Sequence, residues 1–141
     1  MEIFVRPVDT VYVSQTWPLV EGFIKEALDK GISAGAGNYK LEHIQSFLTN
    51  GQWLLVVAVD ADNKVHGAAT ISFLNYPLHR VAFITTIGGH LITNPESFEQ
   101  FKLLLKSRGA TKIQGMVRES MARLCNRYGL KPVNTLVETL L

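Results

Sequence analysis

The sequence predicts a single α/β domain over residues 1–141, with a mostly antiparallel mixed sheet of about six strands flanked by about four helices. Three observations carry this. Residues 53–59 form an unbroken run rich in β-branched side chains, the pattern of a strand covered on both faces. Asp60-Ala61-Asp62-Asn63-Lys64 is a hairpin turn that returns the chain into a second such run at 65–73. From 81 onward the order is strand, helix, strand, helix, strand, with Gly109 and Gly129 closing the two helices as left-handed caps. A meander followed by helix-linked crossovers requires a mixed sheet with helices on both faces.

Each element has its own local reason. Ile3, Phe4 and Val5 read as a short strand stopped by Pro7, with Asp9 and Thr10 in a polar turn. From Thr16, the apolar residues Trp17, Val20, Phe23, Ile24, Ala27 and Leu28 fall on one helical stripe. Pro18 is placed near the first turn, where it costs no hydrogen bond, and Gly31 is the stop. Residues 33–38, rich in Gly and Ala, read as the most flexible segment. Leu41, Ile44, Phe47 and Leu48 mark a second short helix that ends at Asn50-Gly51. Residues 76–79 turn the chain into a strand over 81–91, interrupted at Gly88-Gly89. The polar loop 93–97 then leads into a helix over 98–106. A strand at 113–117, a helix at 120–128 and a final strand at 135–141 complete the order.

Composition narrows the function classes. The chain is 47% hydrophobic and 18% charged, with a net charge of +2 and no basic block interleaved with aromatics, so nucleic acid is not an expected partner. Few charges on a small domain suggest a surface partly covered by a protein partner, a second copy included. Cys125 stands alone, which excludes an internal disulfide and suits a reducing compartment. The first residues lack the pattern of a secretion signal, and the apolar runs are too short to cross a bilayer. A soluble, cytoplasmic chain is therefore expected. His43, His66 and His79 share no ligating spacing, and with one cysteine no metal is expected.

The element order, the hairpin at 60–67, the stretch Lys64-Val65-His66-Gly67 and the closing Arg127-Tyr128-Gly129-Leu130 together resemble the GNAT superfamily of acetyl-CoA-dependent N-acetyltransferases. Topology carries the resemblance over nearly the whole chain, and small, motif-poor GNAT-like chains of this kind resemble proteins carried by tailed bacteriophages. The resemblance implies a fourth strand at 81–87, parallel to the strand at 113–117 and splayed from it toward their C-terminal ends. It places the pantetheine of acetyl-CoA in that gap, against the backbone of Thr85, Thr86, Ile87, Gly88 and Gly89. It also implies a diphosphate on free amides that open the third helix.

Two departures stand against this. Where the family carries glycines before the third helix, this chain has Thr93-Asn94-Pro95-Glu96-Ser97, with a proline that lacks an amide and an added carboxylate. Where many members place the tyrosine acid, counting back from Gly129, this chain has Cys125; Tyr128 lies three residues later. The catalytic candidates are thus His90 as base, and Tyr128 or Cys125 as acid. Each has a structural alternative: a packed tyrosine with its hydroxyl at the surface, a small buried hydrophobe at Cys125, a loop histidine at His90, a β-bulge at Gly88-Gly89. Arg118 and Glu119, at a strand end, are either substrate contacts or solvated charges. Three functions follow: transfer of acetyl to an unknown amine, a non-catalytic binding or virion-associated component, or a ligand sensor. Acetyl-CoA is expected to bind weakly or not at all.

Overall fold

The hairpin at Asp60 organises the sheet. Asp60 accepts hydrogen bonds from the amides of Asp62 and Lys64 at 2.9 and 3.0 Å, and Asn63 takes the left-handed conformation (φ 63°) that a short polar side chain tolerates. This turn joins two strands, Trp53–Val59 and Val65–Asn75, and a second turn leads to Arg80–Gly89, so three successive strands run antiparallel. In the computed structural model, which describes residues 1–30 and 37–141, Phe4–Val8 adds to one side and Lys112–Gly115 to the other. Numbered in chain order, the five strands lie as β1-β2-β3-β4-β5, with only the β4–β5 pair parallel.

Four helices cover the sheet: α1 (Val13–Lys30), α2 (Leu41–Thr49), α3 (Pro95–Ser107) and α4 (Glu119–Asn126). Side chains alternate across a strand, so each strand serves two layers. On one face Val20 and Ile24 of α1 and Ile44 and Leu48 of α2 pack on Leu55, Val57 and Ala68. On the other, Phe98, Phe101 and Leu105 of α3 meet Val5, Val56, Ala69 and Ile71. Leu55, Val56 and Val57 are all buried, which is why β2 reads as an unbroken apolar run. Among the described residues no helix is long and apolar enough to cross a membrane.

Several expectations are corrected. The sheet has five strands, because residues 135–141 pair with no strand among the described residues, and a strand without a partner has no ladder to hold it. β1 runs through Pro7, opposite Val56, which an edge strand allows. The side-chain amide of Gln100 on α3 completes that edge, accepting from the Val5 amide at 2.8 Å and donating to the Ile3 carbonyl at 2.9 Å. Helix α1 begins at Val13, after a single 3-10 turn at Thr10–Tyr12, so Pro18 lies inside it. The carbonyl that Pro18 cannot serve belongs to exposed Ser14 and faces solvent. Helix α3 begins at Pro95 rather than Phe98, since proline suits the first helical position. The stop at Gly31 and the flexible stretch from Ser33 through Ala36 lie outside the described residues.

Candidate functional site

The site is built on β4, which is paired unequally on its two flanks. Toward β3 it is paired from Arg80 through Gly89. Toward β5 it is paired only at Val81, Ala82, Phe83 and Ile84, opposite Lys112, Ile113, Gln114 and Gly115. Among the described residues no strand pairs with residues 85–89 on that side, because β5 ends at Gly115. The C-terminal half of β4 is therefore an open edge, at the end of the sheet where α/β folds bind ligands.

The register of β4 shifts where its pairing with β5 ends. Thr70 pairs with Thr86 and Ile71 with Ile84, so Thr85 is an extra residue and the bulge lies there rather than at Gly88-Gly89. The hydroxyls of Thr85 and Thr86 each lie 2.6 Å from that of Thr70, and Thr85 also donates to the Thr70 carbonyl at 2.8 Å. All three residues are buried. These hydroxyls are spent on one another and on the Thr70 carbonyl, which leaves the backbone of Thr85 and Thr86 as the part to meet a ligand. Thr70 was not foreseen. Its signal is a polar residue inside an apolar run at the same depth as two polar residues of the neighbouring strand, since buried hydroxyls need partners.

Gly88 and Gly89 have a packing reason. A Cβ on Gly88 would sit 2.6 Å from the carbonyl oxygen of Phe23 on α1. One on Gly89, at φ +69°, would sit 2.4 Å from the His66 carbonyl and 2.7 Å from the Phe23 ring. Glycine lets helix, hairpin and strand end meet at backbone distance. Ile87 is half-buried against the α3-side core.

The catalytic candidates stand on separate elements. His90 is exposed just past β4, its amide donating to the His66 carbonyl at 2.8 Å. Tyr128 is half-buried, with its ring 5.3 Å from that of Phe98. Cys125 is half-buried on α4, and burial pushes its thiol up, which disfavours the thiolate. Among the described residues no hydrogen bond joins His90 to Tyr128 or Cys125. Arg118 is committed elsewhere: its guanidinium donates to the Lys30 carbonyl at the end of α1, a favourable place for a cation. The histidine with a carboxylate partner is His66, whose Nε2 lies 2.8 Å from Asp60. That contact holds the Asp60 carboxyl below the usual range, helped by the Lys64 and Asp62 amides.

The start of α3 is closed. Asn94 accepts from the Ser97 amide at 2.8 Å, while the Ser97 hydroxyl accepts from the amides of Thr93 and Asn94 at 3.1 and 3.3 Å. Pro95 has no amide, so only that of Glu96 remains, beside its own carboxylate. At the opposite end of the sheet, a hollow of about 460 Å³ is bordered by Trp53, Phe73, Arg80 and Arg108. Its Arg80 is structural, donating to Asn75 and to the Arg108 carbonyl and stacking 4.2 Å over Phe73. Among the described residues no three His, Cys, Asp or Glu side chains form a metal-holding group.

No protein-family model matches this sequence, and no curated protein matches it. Solved structures do. An aminoglycoside acetyltransferase from an uncultured soil metagenomic sample, in complex with sisomicin, superposes with a TM-score of 0.66 at 12% identity, covering 99% of this chain and 95% of its own. A predicted acetyltransferase from Clostridium acetobutylicum, with acetyl-CoA, gives 0.61 at 17% identity, over 99% and 96%. Glucosamine-6-phosphate N-acetyltransferase from Arabidopsis thaliana gives 0.57 at 13% identity, over 99% of each chain. The likeness shows the fold: a mixed sheet with four helices in the GNAT arrangement.

Proposed function

We propose that this protein receives an acyl thioester along the open edge of β4 and sets an amine beside it, an N-acyltransfer arrangement without a nucleotide seat. The observation that carries it is the end of β5 pairing at Ile84, which leaves residues 85–89 with backbone groups that the amides of a pantetheine arm can meet. Neighbours of the same fold named as acetyltransferases, one of them with acetyl-CoA, support the reaction class. The group fits in part. Its pantetheine finds an unpaired strand, and its diphosphate meets the closed start of α3. Losing two charge-assisted hydrogen bonds costs about 3–6 kcal/mol, a hundredfold or more in affinity.

His90 is the proposed proton acceptor from the amine, being an imidazole exposed at the end of that edge. The proposed proton donor is Cys125 or Tyr128. Burial keeps the Cys125 thiol protonated, which is the state a donor needs.

Calorimetry with acetyl-CoA and with S-acetylpantetheine tests this. Both are expected to bind weakly and within about threefold of each other, because the nucleotide gains nothing. Release of free thiol with a panel of amines should depend on His90 and fall in His90→Ala. Micromolar acetyl-CoA binding, a hundredfold above S-acetylpantetheine, would show a diphosphate seat that this reading denies. A second reading is a non-catalytic binding component, of the virion-associated kind that the bacteriophage resemblance suggests. The closed N-cap of α3 favours it, and silence of both compounds at millimolar concentration would select it.

A further inference from the structure

Two arginines border the hollow at the far end of the sheet from the open edge of β4. Arg80 begins β4, and Thr111 ties down its backbone: the Thr111 amide donates to the Arg80 carbonyl at 2.8 Å, and the Thr111 hydroxyl accepts from the Arg80 amide at 3.1 Å. The side chain is fixed as well. It stacks 4.2 Å over the Phe73 ring and donates from Nε to the Arg108 carbonyl at 3.1 Å and from Nη1 to Asn75 at 2.8 Å. These bonds use two of the five N–H groups that a guanidinium carries. Among the described residues the others have no acceptor, the Arg108 guanidinium has none, and no carboxylate pairs with either arginine. A half-buried arginine without a counter-ion is uncommon, because a cation drawn out of water is usually paired. The floor beside it is apolar: Leu54 and Phe73 are half-buried on the α3-side core and also border the hollow.

We infer that this hollow is a binding site for a small monocarboxylate with an apolar body, its carboxylate on Arg80 and Arg108 and its body on Leu54 and Phe73. The volume of about 460 Å³ is that of a small-ligand site. A fork of N–H groups matches a planar carboxylate bidentately, and a fork already held in place loses little freedom on binding. Asp9 restricts the ligand to one carboxylate. It borders the same hollow just past β1, where it accepts from the Val11 amide at 3.2 Å. β1 and β4 are separated by β2 and β3, a distance of about 14 Å at ordinary strand spacing. A carboxylate on the arginines is therefore clear of Asp9, whereas a second one at the far end of the ligand would approach it. A bare inorganic anion would answer the charge and leave the apolar floor uncovered. The site is independent of the acyl-transfer reading, which rests on residues 85–89 at the other end of β4.

Titration of hydrocinnamate into the full chain, followed by NMR of nitrogen-labelled protein, tests the site. The Arg80 Nε–H signal and the amides of Leu54 and Phe73 should shift together, with a Kd of about 1 mM or below for a ligand of this size. Hydrocinnamamide, the neutral isostere, and inorganic phosphate should each bind about tenfold more weakly or worse. The para-carboxylated derivative of hydrocinnamate should also bind more weakly than hydrocinnamate itself. Arg108→Gln should weaken hydrocinnamate about fivefold with an unchanged melting temperature, since its exposed side chain has no partner and the carbonyl that holds Arg80 is kept. Arg80→Gln should abolish binding; should it fail to fold, the Arg108 variant and the isostere comparison still decide. No shift at Arg80, Leu54 or Phe73 with about 10 mM hydrocinnamate would overturn the inference, that level being well above the expected Kd. So would equal affinity for the acid and its amide, equal affinity for the dicarboxylate, or shifts confined to residues 85–89.

Discussion

The two flanks of β4 differ in what they leave to chance. Toward β3, every paired residue has a counterpart, the threonine hydroxyls are mutually satisfied, and glycines bring backbone against backbone. Toward β5, pairing stops at Ile84, and among the described residues no strand lies beside the next ones. The closed flank explains how the open one persists. A strand free on one side keeps its shape only if the other side over-determines it. An edge held that firmly offers its amides to a ligand without first being ordered.

The sharpest way to break this contrast is to force the closed flank apart. Gly89→Val adds a side chain at positive φ into the His66 carbonyl and the Phe23 ring, and is expected to destabilise the domain by about 3 kcal/mol or more in urea melts. An effect below about 1 kcal/mol would mean that α1 is not seated on the β3–β4 hairpin as described. Thr70→Val strands the Thr86 hydroxyl in a buried site, while Thr85 keeps the Thr70 carbonyl. A loss of about 1–3 kcal/mol is expected, with Thr70→Ser recovering most of it.

These two sites also show what was legible. The apolar run of β2, the Asp60 hairpin and the helical stripes of α1 and α2 are local patterns, and each reads directly from residue spacing. Gly88-Gly89 stood out as well, but their partner, Phe23, is distant in sequence, so the packing that requires them could not be read. The Thr70 network is hidden for the same reason. The misread strand at 135–141 has another cause: its pattern is that of a strand, and pairing depends on an edge that propensity does not locate. The stretch 93–97 reads as a loop in sequence, where Pro95, Glu96 and Ser97 form the first turn of α3, because a proline suits a loop and a helix start equally.

The open flank is sharpened by opening the helix beside it. Pro95→Gly with Glu96→Gly restores an amide and removes a carboxylate at the start of α3. The variant should lose about 1 kcal/mol of stability and gain about tenfold in affinity for acetyl-CoA over S-acetylpantetheine. Equal affinities in the variant would mean that the helix end is turned away from the open edge. The smallest effect is expected at the hairpin. The Asp60 carboxyl is held low by His66, so its contribution is present above the ordinary carboxylate value of 3.8 and is lost as pH falls through the lower folded value. Asp60→Asn should therefore melt slightly earlier than wild type near neutral pH, and the two curves should converge below about pH 3. A difference that persists unchanged in acid would assign the effect to the turn hydrogen bonds alone.

The sheet order β1-β2-β3-β4-β5 has a kinetic consequence. Strands adjacent in sequence from β2 to β4 are adjacent in space, so the central meander closes through two short turns. β1 must reach β2 across α1 and α2, and β5 must reach β4 across α3, each closing a longer loop at a greater entropic cost. Pulsed hydrogen exchange during refolding should find the amides of Ala69 and Ile71 protected before that of Ile113, and the reverse order would refute this. The open edge at residues 85–89 would then be the last part of the sheet to be defined, set only when the crossover through α3 lays β5 against a strand that is already rigid.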